Sequence, residues 1–525
     1  MDPETMDGES AQVRGIEQRL AGAVPPILAV FVASWALAAA ILVQWLTFAG
    51  LRFDTYEMLL MGHEWRLSYW KHPALPPWLS EAVYDLTAHS TFALDMLGVV
   101  FVAWALWIVE RLCRPILGPA GAAIAVMLSL GSWYVMTPLG HFNHNIAQLP
   151  FWALAVLCYR RAILTQSYGN WIAFAVVAEL LMQTKFTGAL LLGTLAVHAL
   201  CFASSRATLK TPQAIAGIAL TLALLAWQFL QLVHHDSSSL TYYALDRPHP
   251  HSLLDHLVVP FEVLGGQIAF HIGLAVLLLA ALPFTTAQRA VAIALPERST
   301  FDTTLLIAAT AGPLAAGLVF CAVSGVLTRP EALGSMFILV GPSVVACAQR
   351  SIAIARPKFA LALFAVVLLA PPLGNVLDPV IGPRVLHRIG KEQIPYWSVA
   401  GDVQRNWLRL TGHPLTIIAG DKDTAGGLAV FMTPRPSVLI DAMMSRSPWI
   451  TPSRLTAEGA LIVWPIVDPR RLGPPAALVL PLKDYRIEPL APMRIATPWD
   501  DRVPPVVIGM AIIRPAVSSP QKVFR

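Results

Sequence analysis

Residues 24–49 read VPPILAVFVASWALAAAILVQWLTFA and contain no charged side chain. A helix that crosses the hydrocarbon core of a bilayer needs about 20 predominantly apolar residues. The run is followed by a polar stretch at residues 53–89, which reads FDTYEMLLMGHEWRLSYWKHPALPPWLSEAVYDLTAH. The first run therefore predicts a transmembrane helix, and the second predicts a polar loop at the membrane surface.

The composition of the whole chain agrees with a membrane location. Of its 525 residues 56% are hydrophobic and only 13% are charged, and the mean hydropathy is +0.60. Soluble domains carry about 25% charged residues, so much of this surface must face something other than water. The net charge of +5 is small, and no basic stripe appears, which argues against nucleic acid as a partner. The composition predicts a polytopic α-helical membrane protein in contact with membrane lipids.

Applying the same length requirement along the chain predicts eleven transmembrane helices. They cover approximately residues 24–49, 91–110, 117–137, 145–159, 171–183, 186–203, 213–233, 257–284, 303–325, 332–348 and 357–372. The fifth and sixth spans meet at Lys185 with almost no loop, so they could form one bent hairpin or a re-entrant pair.

Basic residues predict the orientation of these spans. Five alternate connections contain paired basic residues, which the positive-inside rule places in the cytoplasm. They are the connections with Arg111/Arg114, Arg160/Arg161, Arg206/Lys210, Arg289/Arg298 and Arg350/Arg356/Lys358. We therefore expect a bacterial inner-membrane protein with a cytoplasmic N-terminal tail at residues 1–23 and an external, periplasmic C-terminus. The loop at 50–90 would then lie outside, although it also carries basic residues.

The character of the sequence changes after residue 372. Prolines become frequent, and short apolar runs alternate with turns, which is typical of strands. The predicted strands are Leu415–Ala419, Leu428–Met432, Val438–Ile440, Ala460–Trp464, Ala477–Leu480 and Val506–Ile513. We expect residues 24–372 to form a transmembrane catalytic domain and residues 373–525 to form a periplasmic α/β domain. The glycine-rich run at 419–427 could bind an anion, but it matches no phosphate-loop spacing and favours a surface turn.

Two carboxylates follow the first span. Asp54 lies at the membrane surface, where an ionisable group is costly unless it is paired or used. Glu57 follows three residues later, on the same face of a helix. An isolated Asp54 would be interpreted as a helix cap or as a partner of Arg52. The second carboxylate favours a catalytic role for Asp54 and Glu57.

A Lys-His pair stands in a turn stiffened by prolines. Lys71 and His72 precede Pro73, and Pro76-Pro77 predict the start of a second short helix. A cation on a restricted backbone is a good ligand for phosphate, although Lys71 could equally interact with anionic lipid headgroups.

Further polar residues stand at the ends of other predicted spans. His141, Asn143, His144 and Asn145 precede the fourth span, where they could bind an anion or sugar hydroxyls or simply cap a helix. Lys185 could reach headgroups or line a polar cavity. The histidines of the predicted outer loops could bind a divalent metal, but their spacing in the sequence does not favour a metal site.

In order and spacing, these motifs resemble the bacterial members of glycosyltransferase family 39, which are relatives of protein O-mannosyltransferases and of the lipid A aminoarabinose transferase in the GT-C superfamily. The matching features are Asp54 after the first span, the run from Lys71 to Leu79, the helix start at 143–150 and the Thr184-Lys185-Phe186 triplet. They extend the resemblance over most of residues 24–372.

The resemblance implies a GT-C fold and an inverting transfer from a polyprenyl-phosphate sugar to an envelope lipid, polysaccharide or protein at the outer face. Asp54 falls at the position of the family's catalytic aspartate. The family's acidic-basic pair before Pro-x-Leu is Lys71-His72 here, so the acidic residue that would hold a metal is missing. Asn143 or Asn145 stands where many relatives carry an aspartate.

The chemistry of the residues fits the same reaction. A polyprenyl phosphate leaves as an anion, so Lys71, His72 and Lys185 are predicted to stabilise the donor phosphate. Asp54 is the candidate base for the acceptor hydroxyl. The residues predicted to bind the sugar or the acceptor are His141, Asn143, His144, Asn145 and Arg329. A transporter or flippase of lipid-linked sugars is the alternative, although transporters usually show internal repeats, and none is evident.

Overall fold

The computed structural model describes residues 51, 53–136, 142–234, 252–282, 291–326, 329–348, 350–387, 389–468, 470–496 and 503–516, together with the single positions 38, 42 and 242. The predicted N-terminal tail, nearly all of the first predicted span and His141 lie outside the described residues.

The segment after the first predicted span folds into two short helices, which together we call the loop segment (residues 53–90). Helix α1 is Phe53–Gly62 and helix α2 is Leu75–Leu86. Pro76 and Pro77 occupy the first turn of α2. The backbone N–H groups of a first turn have no acceptor within the helix, so the N–H groups that proline lacks cost no hydrogen bond there. Both helices were predicted from the sequence, and the turn between them holds the Lys-His pair.

A helical bundle follows. Its elements are α3 (Thr91–Leu130), α4 (Trp133–Met136), α5 (His144–Thr165), α6 (Tyr168–Thr184), α7 (Gly188–Cys201), α8 (Ala203–Thr208), α9 (Pro212–His234), α10 (Asp255–Phe270), α11 (Ile272–Ala281), β1 (Val291–Ala294), α12 (Thr300–Ser324), a 3-10 helix (Pro330–Leu339), α13 (Val340–Cys347), β2 (Ser351–Ile354) and α14 (Pro357–Leu386). Strands β1 and β2 pair antiparallel in a ribbon of their own.

The bundle contains several helices that can cross a membrane. Within the described residues, four helical stretches are long and apolar enough: Thr91–Leu130, Pro212–Val233, Thr300–Ser324 and Pro330–Cys347. Helices α10 and α11, bent by 55° where they meet, could make a fifth span. Helix α3 covers most of two predicted spans, and Gly118, at φ 71°, breaks its helical geometry near the start of the second one. The total of eleven spans stays a prediction.

Beyond α14 the chain forms a mixed sheet with short helices, which we call the α/β domain (residues 391–516). Its strands are β3 (Ile417–Gly420), β4 (Ser437–Ile440), β5 (Ala460–Pro465), β6 (Glu488–Ile495) and β7 (Val506–Ile513), in the order β4-β3-β5-β7-β6. Strands β4, β3 and β5 are parallel, whereas β7 and β6 are antiparallel to their neighbours. The helices are α15 (Trp397–Thr411), α16 (Thr424–Val430), α17 (Pro452–Glu458) and α18 (Ala476–Val479), with 3-10 turns at Lys391–Gln393 and Leu480–Leu482.

Two of the predicted strands are wrong. Residues 428–432 lie mostly in α16, and residues 477–480 lie in α18 and the turn after it. Short apolar runs do not distinguish a buried helix from a strand, because they contain too few residues to show a period. The predicted domain boundary at 372/373 falls inside α14, which continues to Leu386.

The loop segment packs against the α/β domain in one hydrophobic core. Tyr56, Leu60 and Tyr84 of the loop segment are buried together with side chains of the sheet and of α16. A glycine of α16 permits the close contact, because a Cβ at Gly426 would lie 2.9 Å from Leu60 Cδ1. The α/β domain is thereby held next to the residues of α1.

Candidate active site

Helix α1 brings its two carboxylates into a polar cluster between the bundle and the α/β domain. Asp54 and Glu57 are three residues apart, so their side chains leave the same face of the helix. Three elements face them, namely the turn before α2, the start of α5 and the loop after β3, and the end of α6 contacts the start of α5.

Asp54 contacts the start of α5. Its Oδ2 accepts a hydrogen bond of 3.1 Å from the side-chain amide of Asn143. Burial raises the pKa of Asp54 above its usual range, and the nearby carboxylate of Glu57 raises it further. The ammonium groups of Lys422 and Lys71 and the Asn143 bond act in the opposite direction without cancelling the shift. Asp54 thus has the stronger basicity that proton abstraction from a hydroxyl requires.

Glu57 is the buried centre of an ion-pair triad. Lys422 Nζ donates a hydrogen bond of 2.8 Å to Glu57 Oε2, and Lys71 Nζ lies 3.6 Å from Oε1. Burial alone would raise the pKa of Glu57, but the two ammonium groups outweigh it and lower the pKa to about 2. The predicted catalytic carboxylates are therefore together, but Glu57 remains ionised and paired, which suits an anchor better than a base.

Lys422 was not among the residues predicted for the site. It lies in the loop after β3, within the run that the sequence favoured as a surface turn. Asp421 stabilises this loop, because its Oδ1 accepts bonds from the backbone N–H groups of Asp423 (3.1 Å) and Thr424 (3.0 Å). Nothing local in the sequence links Lys422 to Glu57, since 365 positions separate them.

His72 and His144 are stacked, with ring centroids 3.6 Å apart and planes inclined by 30°. His144 Nδ1 lies 3.1 Å from the carbonyl oxygen of Thr184; because a carbonyl only accepts, this nitrogen carries the proton. Burial lowers the pKa of His72 well below its usual value, and positive neighbours, among them Lys71 and Lys185, lower it further. His72 is therefore neutral at pH 7 and offers a hydrogen bond, not a charge, to an anion.

Two asparagines at the start of α5 have different roles. Asn143 is the N-cap, since its Oδ1 accepts from the backbone N–H groups of Asn145 (2.9 Å) and Ile146 (3.1 Å). Asn145 instead accepts a bond of 2.5 Å from Lys185 Nζ. Of the two, Asn143 is the one that contacts Asp54.

Lys185 is a buried cation at the end of α6. Besides Asn145, its ammonium donates to the carbonyl oxygen of Ala332 at 2.8 Å, which joins α6 to the 3-10 helix. Its own carbonyl accepts from Gln148 Nε2 at 2.8 Å. Lys185 thus joins the start of α5 and the 3-10 helix to the end of α6 beside the cluster. Its positive charge contributes to the electrostatic field there.

Arg329 is exposed at the start of the 3-10 helix, three residues before Ala332. Its carbonyl accepts from the Ala332 backbone N–H at 2.8 Å. Arg329 therefore lies on the element that Lys185 contacts, but it is outside the cluster of carboxylates. Among the described residues, no group of three or more His, Cys, Asp or Glu side chains has the geometry to hold a metal ion.

Comparisons with known proteins address the family and the fold. Residues 71–229 match the family model described as dolichyl-phosphate-mannose-protein mannosyltransferase. No curated protein matches the chain by sequence.

Two solved structures match the chain over nearly its whole length. One is ArnT from Cupriavidus metallidurans bound to undecaprenyl phosphate, with a TM-score of 0.54 at 12% identity, over 91% of this chain and 97% of ArnT. The other is the same protein in the apo state, with a TM-score of 0.55 at 13% identity, over 92% of this chain and 98% of ArnT. The resemblance that the motifs predicted is confirmed: the chain has the fold of ArnT, and its residues 71–229 match the model of the dolichyl-phosphate-mannose-protein mannosyltransferase family.

Proposed function

We propose that the protein is an inverting glycosyltransferase that moves a sugar from a polyprenyl-phosphate donor to a hydroxyl of an envelope acceptor. The observation that carries the proposal is the buried Asp54, whose pKa is raised while it accepts a hydrogen bond from Asn143 beside two ammonium groups. A base and a set of cations at one place match the two needs of the reaction.

In the proposed reaction, Asp54 takes the proton of the acceptor hydroxyl as its oxygen attacks the anomeric carbon. The bond between that carbon and the phosphate oxygen breaks, and the polyprenyl phosphate leaves with the electron pair. Attack from the side opposite to the leaving group inverts the anomeric configuration. Asn143 holds the Asp54 carboxylate through the 3.1 Å bond and so directs its other oxygen.

The leaving phosphate is a stable anion, so it needs charge stabilisation more than a proton. We assign this role to Lys71 and to the neutral imidazole of His72. Lys185 is fixed by Asn145 and Ala332, so we propose that it positions the start of α5 and adds positive potential. Glu57 holds Lys71 in place, and we propose no proton transfer for it.

The donor class rests on two findings about similar proteins. The matching family model is described by a dolichyl-phosphate sugar, and the matched ArnT structure holds undecaprenyl phosphate; both carriers are polyprenyl phosphates. We propose a bacterial inner-membrane location, with the N-terminus in the cytoplasm and the cluster at the periplasmic face. The acceptor would be an envelope glycolipid such as lipid A or its core, a polysaccharide or a protein, with His144, Asn145 and Arg329 near its path.

Purified protein incubated with radiolabelled polyprenyl-phosphate sugars and an envelope lipid extract tests the proposal. We expect label in an acceptor with the wild type and a loss of roughly 10²–10⁴-fold in Asp54→Asn, the contribution typical of a general base. The substitution should leave the fold intact or more stable, because an ionised carboxylate with a raised pKa costs folding free energy at neutral pH.

Transfer by Asp54→Asn at the wild-type rate would remove Asp54 from the role of base. Movement of labelled donor across a proteoliposome membrane without transfer to any acceptor would instead support a flippase, and would contradict the proposal.

A further inference from the structure

We propose that Lys422 of the α/β domain, together with Lys71 of the loop segment, forms a two-lysine clamp for the phosphate of the polyprenyl donor, so that the donor site is complete only when the two parts of the chain are docked. The inference rests on the proposed function, because it names a further ligand for the same phosphate.

The first observation is the charge of the triad. Two ammonium groups share the single carboxylate of Glu57, at 2.8 Å from Lys422 and 3.6 Å from Lys71. Glu57 neutralises one of them, and the nearby carboxylate of Asp54 offsets the other until it takes up the proton of the acceptor hydroxyl, so a net positive charge develops here as the phosphate leaves.

The second observation is the difference in exposure within the triad. The side chain of Glu57 is 3% exposed, whereas those of Lys71 and Lys422 are 26% and 22% exposed. The carboxylate is thus covered by protein, whereas the two lysine side chains are partly exposed. A phosphate can approach the lysines without removing Glu57 from between them.

The third observation is the rigid docking of Lys422. A second buried ion pair joins Arg435 of the α/β domain to Glu81 of α2. Nearby, Tyr84 donates a bond of 3.0 Å to the carbonyl oxygen of Val430. These contacts hold the loop after β3 against α1, which pre-organises the cation for a ligand.

The place of Lys422 in the sheet supports a binding role. The parallel part of the sheet has the order β4-β3-β5, so successive connections leave β3 and β4 in opposite directions along the sheet. In open parallel sheets, ligands bind outside the carboxyl ends of the strands where the strand order reverses. Lys422 follows the carboxyl end of β3.

The test measures binding of undecaprenyl phosphate, and of uncharged undecaprenol, to the purified full-length protein in detergent by native mass spectrometry. We expect Lys422→Met to weaken binding of the phosphate at least about tenfold, the loss of one charge-assisted hydrogen bond, and to leave undecaprenol binding unchanged. Lys422→Arg should restore most of the affinity. Lys391→Met is the matched control: Lys391 pairs with Asp423 at 3.1 Å beside Lys422, but its side chain is 68% exposed.

A further variant separates a phosphate ligand from a merely structural ion pair. Glu57→Gln breaks the same pair as Lys422→Met but leaves both cations in place. If Lys422 binds phosphate, Lys422→Met loses at least about tenfold in affinity, whereas Glu57→Gln, which keeps both cations and loses only their anchor, loses clearly less. Equal losses in the two variants would show a structural role and overturn the clamp.

The outcomes also separate the clamp from the proposed function. Unchanged phosphate binding in folded Lys422→Met, with transfer retained, would overturn the clamp and leave the glycosyltransferase in place. A wild type that binds undecaprenyl phosphate no better than undecaprenol would overturn both.

Discussion

The side-chain amide of Asn143 donates a hydrogen bond to Oδ2 of Asp54 across 3.1 Å, although the two residues are 89 positions apart. The same side chain caps α5 through its Oδ1. One asparagine therefore joins the candidate base to the rigid start of a helix. This bond also opposes the burial that raises the pKa of Asp54.

The hydrogen bond from Asn143 to Asp54 predicts how kcat/KM depends on pH. A base acts only when ionised, so kcat/KM should rise with pH through the raised pKa of Asp54 and then level off. Asn143→Ser removes the bond to Asp54, so we expect the acidic limb to move to higher pH. Rate profiles of both proteins between pH 4 and 8 measure the shift.

Asn143→Ala provides the control for capping. Serine can still accept from the first backbone N–H groups of α5, whereas alanine cannot, so only the alanine variant should lose about 1 kcal/mol of stability. An acidic limb that stays in place in both variants would contradict the coupling between Asn143 and Asp54.

The lowered pKa of Glu57 predicts that the free energy of unfolding decreases in acid. Its pKa falls from 4.5 to about 2 on folding, which corresponds to roughly 3 kcal/mol of stabilisation at neutral pH. Because the folded pKa is depressed, this contribution is complete above pH 4.5 and is lost as the pH falls towards 2. Thermal unfolding of wild type and Glu57→Gln should therefore differ most at pH 6–7 and converge near pH 2–3. A gap that stays constant with pH would show that ionisation of Glu57 does not stabilise the fold.

The Glu81–Arg435 pair predicts a large loss of stability when one partner is removed. Both side chains are largely buried, at 2% and 11% exposed, and Arg435→Met leaves the Glu81 carboxylate with His63, 3.4 Å away, as its remaining charged partner among the described residues. Breaking a buried pair in this way costs about 3–5 kcal/mol.

Arg486→Met is the matched control for that loss. It breaks a pair with Glu488 at 3.4 Å, but the Arg486 side chain is 89% exposed, so we expect a cost of less than about 1 kcal/mol. Chemical denaturation followed by tryptophan fluorescence measures both changes. Similar losses in the two variants would contradict the importance of the buried pair.

The close packing around Gly341 leaves no room for a side chain at this position of the bundle. A Cβ on Gly341 would lie 1.9 Å from the carbonyl oxygen of Ala125 and 2.7 Å from the backbone nitrogen of Ser129, so α13 and α3 could not remain in contact. We expect Gly341→Ala to destabilise the protein by about 3 kcal/mol or to prevent its folding.

Gly193→Ala serves as the control, because a Cβ there meets nothing within 4 Å. Alanine favours a helix over glycine by about 1 kcal/mol, so this variant should be as stable as the wild type or slightly more stable. The fraction of monodisperse protein after size-exclusion chromatography and its thermal midpoint distinguish the two. Equal behaviour would contradict the close approach of α13 to α3.

The membrane class, most helix positions and the two carboxylates of α1 could be predicted from the sequence, because hydrophobic length and i, i+3 spacing are local properties of the chain. The sequence also placed Lys71 and His72 in the turn before α2. The contacts between these groups could not be predicted in this way: Asn143 with Asp54, His72 with His144, and Lys422 with Glu57. These contacts depend on packing between distant elements, and the charge and burial that result give Asp54 a raised pKa and Glu57 a lowered one.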